Sequence, residues 1–270
     1  VAALPDAALE PERWFSTNLV GLPAGLLGSA AFNAHPQALA IAGVREAHRG
    51  LFALLETCAD AGAAGAVFSH YMDIAFQLRP AADVAPRRRA SYARLLQGWG
   101  ADANAGAGAV LKGWVESRYG LVPSYHGAPL RRFPSPAWVE YLEQKAGGRH
   151  HNNNIWQQLD LLYEFCQWSL RRFGLQGAGA AHVRLWRGSN RAEEQIVGGA
   201  RRRVSMRLNN LVSFSLDRDA ADCFGDFVFS AEVPLVKLLL YPGLLPGPLL
   251  QGEREVLALG GVYEVEVCDV

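Results

Sequence analysis

Three short patches in the last third of the chain carry residue types that could do chemistry together. They are Arg187-Gly188 in VRLWRG, Ser213-Phe214-Ser215 in NNLVSFSLD and Glu253-Arg254-Glu255 in QGEREVLAL. They supply one fixed cation, one hydroxyl-bearing strand end and two carboxylates, a set suited to holding a dinucleotide and pulling a glycosidic bond apart. An arginine fork matches phosphate or ribose oxygens, and a glycine beside it lets a ligand approach the backbone. The serines can fix a neighbouring acid by hydrogen bonding, while Phe214 can pack inward or against a flat ring. Glu253 and Glu255 stand two apart at the start of a strand-like run, so both side chains share one face. Two carboxylates on one face repel, which raises at least one pKa unless a cation or substrate lies between them. Taken singly, a surface arginine or a plain strand end explains the first two patches equally well, and a solvated strand edge explains a lone E-x-E better.

Two textures of sequence must position these patches. The first part reads helical. Val44, Ala47, Leu51, Leu54, Leu55 and Cys58 repeat at three and four, and Val67, Phe68, Tyr71, Met72 and Phe76 continue the pattern. Ser135-Pro136 predicts a helix start, with serine as cap and proline in the first position. A longer helix is expected from about Asn154 to Phe173, with Arg171 and Arg172 at its negative pole and Gly174 as its stop. Beyond the glycine-rich stretch 174–179, the likeliest domain junction, short β-branched and aromatic runs take over. They cover 182–186, 204–208, 211–214, 227–233, 236–241, 255–259 and 262–267, with one short helix near 219–224. The Pro/Gly-rich run from Tyr241 to Leu249 reads as a structured lip before the paired glutamates.

Composition sets the outer bounds. Half of the 270 residues are hydrophobic and 19% are charged, which suits a globular chain and excludes a disordered one. Lysine plus arginine balance aspartate plus glutamate at 26 each, which argues against a general nucleic-acid or membrane-surface binder. Cys58, Cys166, Cys223 and Cys268 are far apart and form no CxxC pair, so reduced thiols in a cytoplasmic protein are expected. No run of about 18 apolar residues suggests a membrane span. His150-His151 reads as a loop before a helix cap rather than a metal site, and no metal is expected. Arg87–Arg89 and Arg201–Arg203 read as solvated faces, the second also placed to dock an acidic surface or steer a pyrophosphate.

The ordered triplet of R-G, S-x-S and E-x-E resembles the arginine-serine-glutamate class of mono-ADP-ribosyltransferases over roughly Ala180–Val267, and EREVLALGGVYEVEV looks like that class's closing strand pair. NLVGLPAGLLGSAAFNAHPQALAIAGVREAHRGLF and HHNNNIWQQLDLLYEFCQW are similar to the family that modifies dinitrogenase reductase in nitrogen-fixing bacteria. The middle motif is S-F-S where the class often has S-T-S. The resemblance implies an α+β fold, with a helical N-terminal region (1–176) packed on a C-terminal ADP-ribosyltransferase-type split β-sandwich (177–270). NAD would be the substrate, held by Arg187, Gly188, Ser213, Phe214 and Ser215. Glu255 would hydrogen-bond the nicotinamide ribose and stabilise positive charge as nicotinamide leaves, a role that suits a preorganised anion. Glu253 would hold the acceptor, an arginine in the family. The implied partners are dinitrogenase reductase as protein substrate and a PII-type signalling protein as regulator.

Overall fold

The computed structural model describes residues 18–79, 89–175, 180–190, 192–200, 202–247 and 255–268. The helical part contains α1 (Ala24–Leu27), α2 (Ala30–Ala34), α3 (Val44–Ala47), α4 (Arg49–Leu55), α5 (Ala61–Ala75), α6 (Tyr92–Ala101) and α7 (Gly106–Tyr119). A small hairpin of β1 (Tyr125–His126) and β2 (Ala128–Pro129) leads to α8 (Pro136–Ala146) and α9 (Ile155–Phe173). The remaining strands are β3 (His182–Ser189), β4 (Ile196–Ala200), β5 (Arg203–Ser215), β6 (Phe227–Pro234), β7 (Leu238–Leu240) and β8 (Glu255–Cys268), with α10 (Arg218–Asp222) before β6. The chain is therefore α+β, a helical part followed by an antiparallel sheet. No helix among the described residues is long and apolar enough to cross a membrane.

Local chemistry explains several boundaries. The Ser135 hydroxyl accepts from the Trp138 amide at 3.4 Å, capping α8 with Pro136 in its first turn. α9 stops at Gly174, which adopts φ +72°. The apolar stripe from Val44 to Cys58 is divided into α3 and α4, because His48 leaves helical geometry at φ −111°, ψ 26°. Four helices lack a sequence expectation, the short α1 and α2 and the longer α6 and α7. α7 is glycine-rich and buried nearly all round, so no stripe marks it; weak propensity is overridden by packing.

Pairing follows a circuit. β5 pairs β8 along its length, β8 pairs β6, β6 pairs β3, and β3 returns to β5 through Trp186↔Ser215. β4 and β7 extend the sheet at its two edges. The runs expected as separate strands at 204–208 and 211–214 are one strand, as are those at 255–259 and 262–267. Asn209-Asn210 and Gly260-Gly261 look like turns in sequence but form a β-bulge: the ladder passes from Leu208↔Gly261 to Leu211↔Leu259. The glycines are needed for close approach. A Cβ at Gly260 would lie 1.5 Å from the Asn209 carbonyl oxygen, and one at Gly261 (φ +121°) 2.6 Å from that of Gly28.

The bulge also grips the helices. Asn210 Nδ2 donates to the carbonyls of Lys112 and Leu121, each at 2.9 Å, and Asn209 Nδ2 to that of Tyr125 at 2.9 Å. On the other side, Gln167 of α9 donates to the carbonyls of Leu235 (3.0 Å) and Leu238 (2.9 Å). Helices and strands share one hydrophobic cluster, from Phe68 and Phe165, stacked at 4.1 Å, to Leu257 and Val265. All four cysteines are free thiols.

Candidate active site

The register of the sheet brings the last-third patches together. Ser215 pairs with Trp186 of β3 on one side and Glu255 of β8 on the other, so three strands meet at one residue. Cross-strand partners and their diagonal neighbours share a face, which aims Ser213, Ser215 and Glu255 the same way. The Ser213 hydroxyl makes a short hydrogen bond to Glu255 Oε1. Arg187, one residue beyond the junction, donates from Nη1 to the Ser213 carbonyl at 2.6 Å. Its Nε is buried and finds no partner among the described residues, an unsatisfied donor of a kind that is rare inside proteins. Burial pulls the guanidinium's pKa down and Glu255 partly restores it.

Glu255 is itself only 6% exposed. A carboxylate buried to this degree is tolerated when charged donors and hydrogen bonds surround it. Ser215 is buried and its Oγ accepts from the Asp217 amide at 3.0 Å, closing the strand into α10. Phe214 points to the other face, buried and edge-on to Tyr263 at 6.1 Å.

These residues line one cleft of about 1940 Å³ between helices and sheet, walled also by Trp99, Asp102–Asn104, Lys112, Trp186, Asn190, Arg207 and Phe224. Pockets for drug-sized ligands run to roughly 1,000 Å³, so the cleft has room for a dinucleotide with space beside it. Gly188 lines it too. The structure adds a packing reason for that glycine: a Cβ there would stand 2.1 Å from the Ala221 carbonyl oxygen of α10. Gly188→Ala is expected to push α10 from β3 and cost about 1–3 kcal/mol. Thermal unfolding checks this, and an unchanged melting temperature would refute it.

Two cleft residues were not legible as site residues. Trp99 belongs to an α6 stripe of Tyr92, Leu95, Leu96 and Trp99 that signals only a core face. Lys112 is 1% exposed in α7, its Nζ donating to Asn104 Oδ1 (3.2 Å), the Tyr125 carbonyl (3.1 Å) and His126 Nδ1 (3.2 Å). Burial draws its pKa down to about 8, with Asp102 opposing. Both come from the helical part, far in sequence from the three patches.

Glu253 and Arg254 lie outside the described residues, as do Arg201 and positions 248–252. The first part of the lip, Tyr241–Gly247, is described and well anchored. Leu244 and Leu245 are buried, and the Leu244 carbonyl sits where a Cβ on Gly65 of α5 would be 2.8 Å away. His151 packs edge-on against Trp156 at 5.0 Å.

No solved structure matches the chain. The chain is 50% identical over 261 residues to the NAD(+)–dinitrogen-reductase ADP-D-ribosyltransferase of Rhodospirillum rubrum, covering 93% of this chain and 94% of that protein. The model of one family, described as dinitrogenase reductase ADP-ribosyltransferase, matches residues 17–267. With helices and sheet both inside that match, the chain belongs to the dinitrogenase reductase ADP-ribosyltransferase family.

Proposed function

We propose that this chain transfers ADP-ribose from NAD to an arginine of dinitrogenase reductase, reversibly inactivating it to control nitrogen fixation. The observation that carries the reading is the hydrogen-bonded meeting of Arg187, Ser213 and Glu255 beside the register position where Trp186, Ser215 and Glu255 pair, inside a dinucleotide-sized cleft. In this reading the sheet circuit and its bulge form the ADP-ribosyltransferase-type split β-sandwich of residues 177–270. Arg187 engages the phosphates or nicotinamide ribose, with Gly188, Phe214 and Ser215 in the same cleft wall. The helical region of residues 1–176 forms the rest of the wall and offers the surface for target and PII-type regulator contacts. The setting is cytoplasmic.

The chemistry has two halves. As nicotinamide leaves with the electron pair of the N-glycosidic bond, positive charge grows on the ribose. Glu255, held by Ser213, stabilises it without having to reorganise. The acceptor guanidinium stays protonated throughout the physiological pH range, so it is not deprotonated in advance. Glu253 positions it and takes its proton late, as the new C–N bond forms.

Labelled NAD incubated with purified dinitrogenase reductase tests both halves. Wild type incorporates label, whereas Glu253→Gln releases nicotinamide yet loses incorporation by about two orders of magnitude. Equal loss of both activities would remove Glu253 from acceptor handling. Hydrolysis by wild type without incorporation would make the chain an NAD glycohydrolase instead, and no turnover at all a non-catalytic interaction module.

A further inference from the structure

The helical part reaches into the carboxylate site through one side chain. Trp99, at the C-terminal end of α6 and 4% exposed, directs its indole N–H at two atoms, Ser213 Oγ at 2.8 Å and Glu255 Oε1 at 3.1 Å. The Ser213 hydroxyl also bonds Glu255 Oε1, so Trp99, Ser213 and Glu255 close a three-membered polar triangle. We propose that Trp99 is a positioning residue for Glu255, setting the orientation of its carboxylate. The inference rests on the transferase reading above, since it assigns a task within the same site.

The polarity of the triangle supports this. An indole N–H only donates, and a serine hydroxyl both donates and accepts with a proton that rotates to suit. By donating to Ser213 Oγ, Trp99 occupies a lone pair and leaves the serine proton to Glu255. Both donors then converge on one carboxylate oxygen. Hydrogen bonds to a carboxylate favour its charged form, and it is the charged form that stabilises a developing cation. Trp99 only donates, so it cannot stand in for Glu255 as the anion beside the cationic ribose.

The seat of the indole is rigid. Tyr92, Leu95 and Leu96 bury the same face of α6, and the Tyr92 amide is held by Gln158 Oε1 at 3.0 Å. Next to Trp99, Gly98 lets α7 approach so closely that a Cβ there would be 2.5 Å from Ala107 Cβ. Lys112 closes the other side, its Nζ lying 5.9 Å from the Trp99 ring centre and tethered to Asn104, Tyr125 and His126. An indole needed only for packing would bring no reason to spread its one donor over a serine and a buried glutamate.

The test compares Trp99→Phe with Trp114→Phe in the full chain. Trp114 is a buried α7 indole that donates to Asp160 Oδ1 at 2.7 Å, outside the cleft. Both variants lose an indole–carboxylate bond and both are expected to melt at lower temperature. Only Trp99→Phe should lower kcat for nicotinamide release, by about tenfold, the lower range for one charge-assisted bond. Its KM for NAD should stay within about twofold. Wild-type kcat in Trp99→Phe would overturn the proposal. So would a loss of kcat matched by Trp114→Phe. In either case wild-type turnover would leave the transferase reading standing, whereas a wild type that releases no nicotinamide would sink that reading itself.

Discussion

Glu255→Gln is expected to cut nicotinamide release by about two to three orders of magnitude, with or without acceptor protein, while NAD still binds. The amide oxygen can take the place of Oε1 and go on accepting from Ser213 and Trp99, so neither fold nor cleft should change. What disappears is the negative charge, which matters little in the ground state and most as the ribose becomes cationic. An effect confined to the transition state lowers kcat and kcat/KM together. Nicotinamide release at saturating NAD, beside binding of NAD to the variant, checks this. Retained hydrolysis with lost transfer would move bond breaking to another residue.

Arg187→Lys is expected to raise the KM for NAD by about tenfold or more, with a smaller effect on kcat. Nη1 holds the Ser213 carbonyl at 2.6 Å, and Nε lies buried with no partner among the described residues. A lysine ammonium is a single point donor on a flexible stem and cannot reproduce a planar fork facing both ways. Retaining the charge separates loss of fork geometry from loss of electrostatics. A variant whose KM stays within about twofold of wild type would show that the fork is structural and that NAD is held elsewhere.

The sequence was informative where periodicity and end signals agreed. α9 was legible from its stripe and its Gly174 stop, and α8 from Ser135-Pro136, because capping is a local transaction between neighbouring residues. β3 and β6 were legible as short β-branched runs. The sequence misleads where local chemistry has a long-range use. Asn209-Asn210 and Gly260-Gly261 carry turn residues, yet each sits inside a continuous strand, opposite the other across a bulge. α6 and α7 were missed because Gly98, Gly106, Gly108 and Gly113 weaken propensity while permitting the close packing that makes the helices stable.

The candidate site divides along the same line. Arginine, serine and glutamate patches can be recognised in order from the chain alone, because each is a property of two or three adjacent residues. That order, with the similarity of the longer segments, was enough to indicate the family and the NAD-dependent reaction. Only the tertiary structure decided that Ser215 is where β3, β5 and β8 meet, and that Arg187 reaches the Ser213 carbonyl. It alone placed Trp99, 156 positions before Glu255, on the glutamate's carboxylate. The physical reason is range: a motif is written in neighbours, whereas the orientation and charge of a buried carboxylate are set by whatever the fold packs against it.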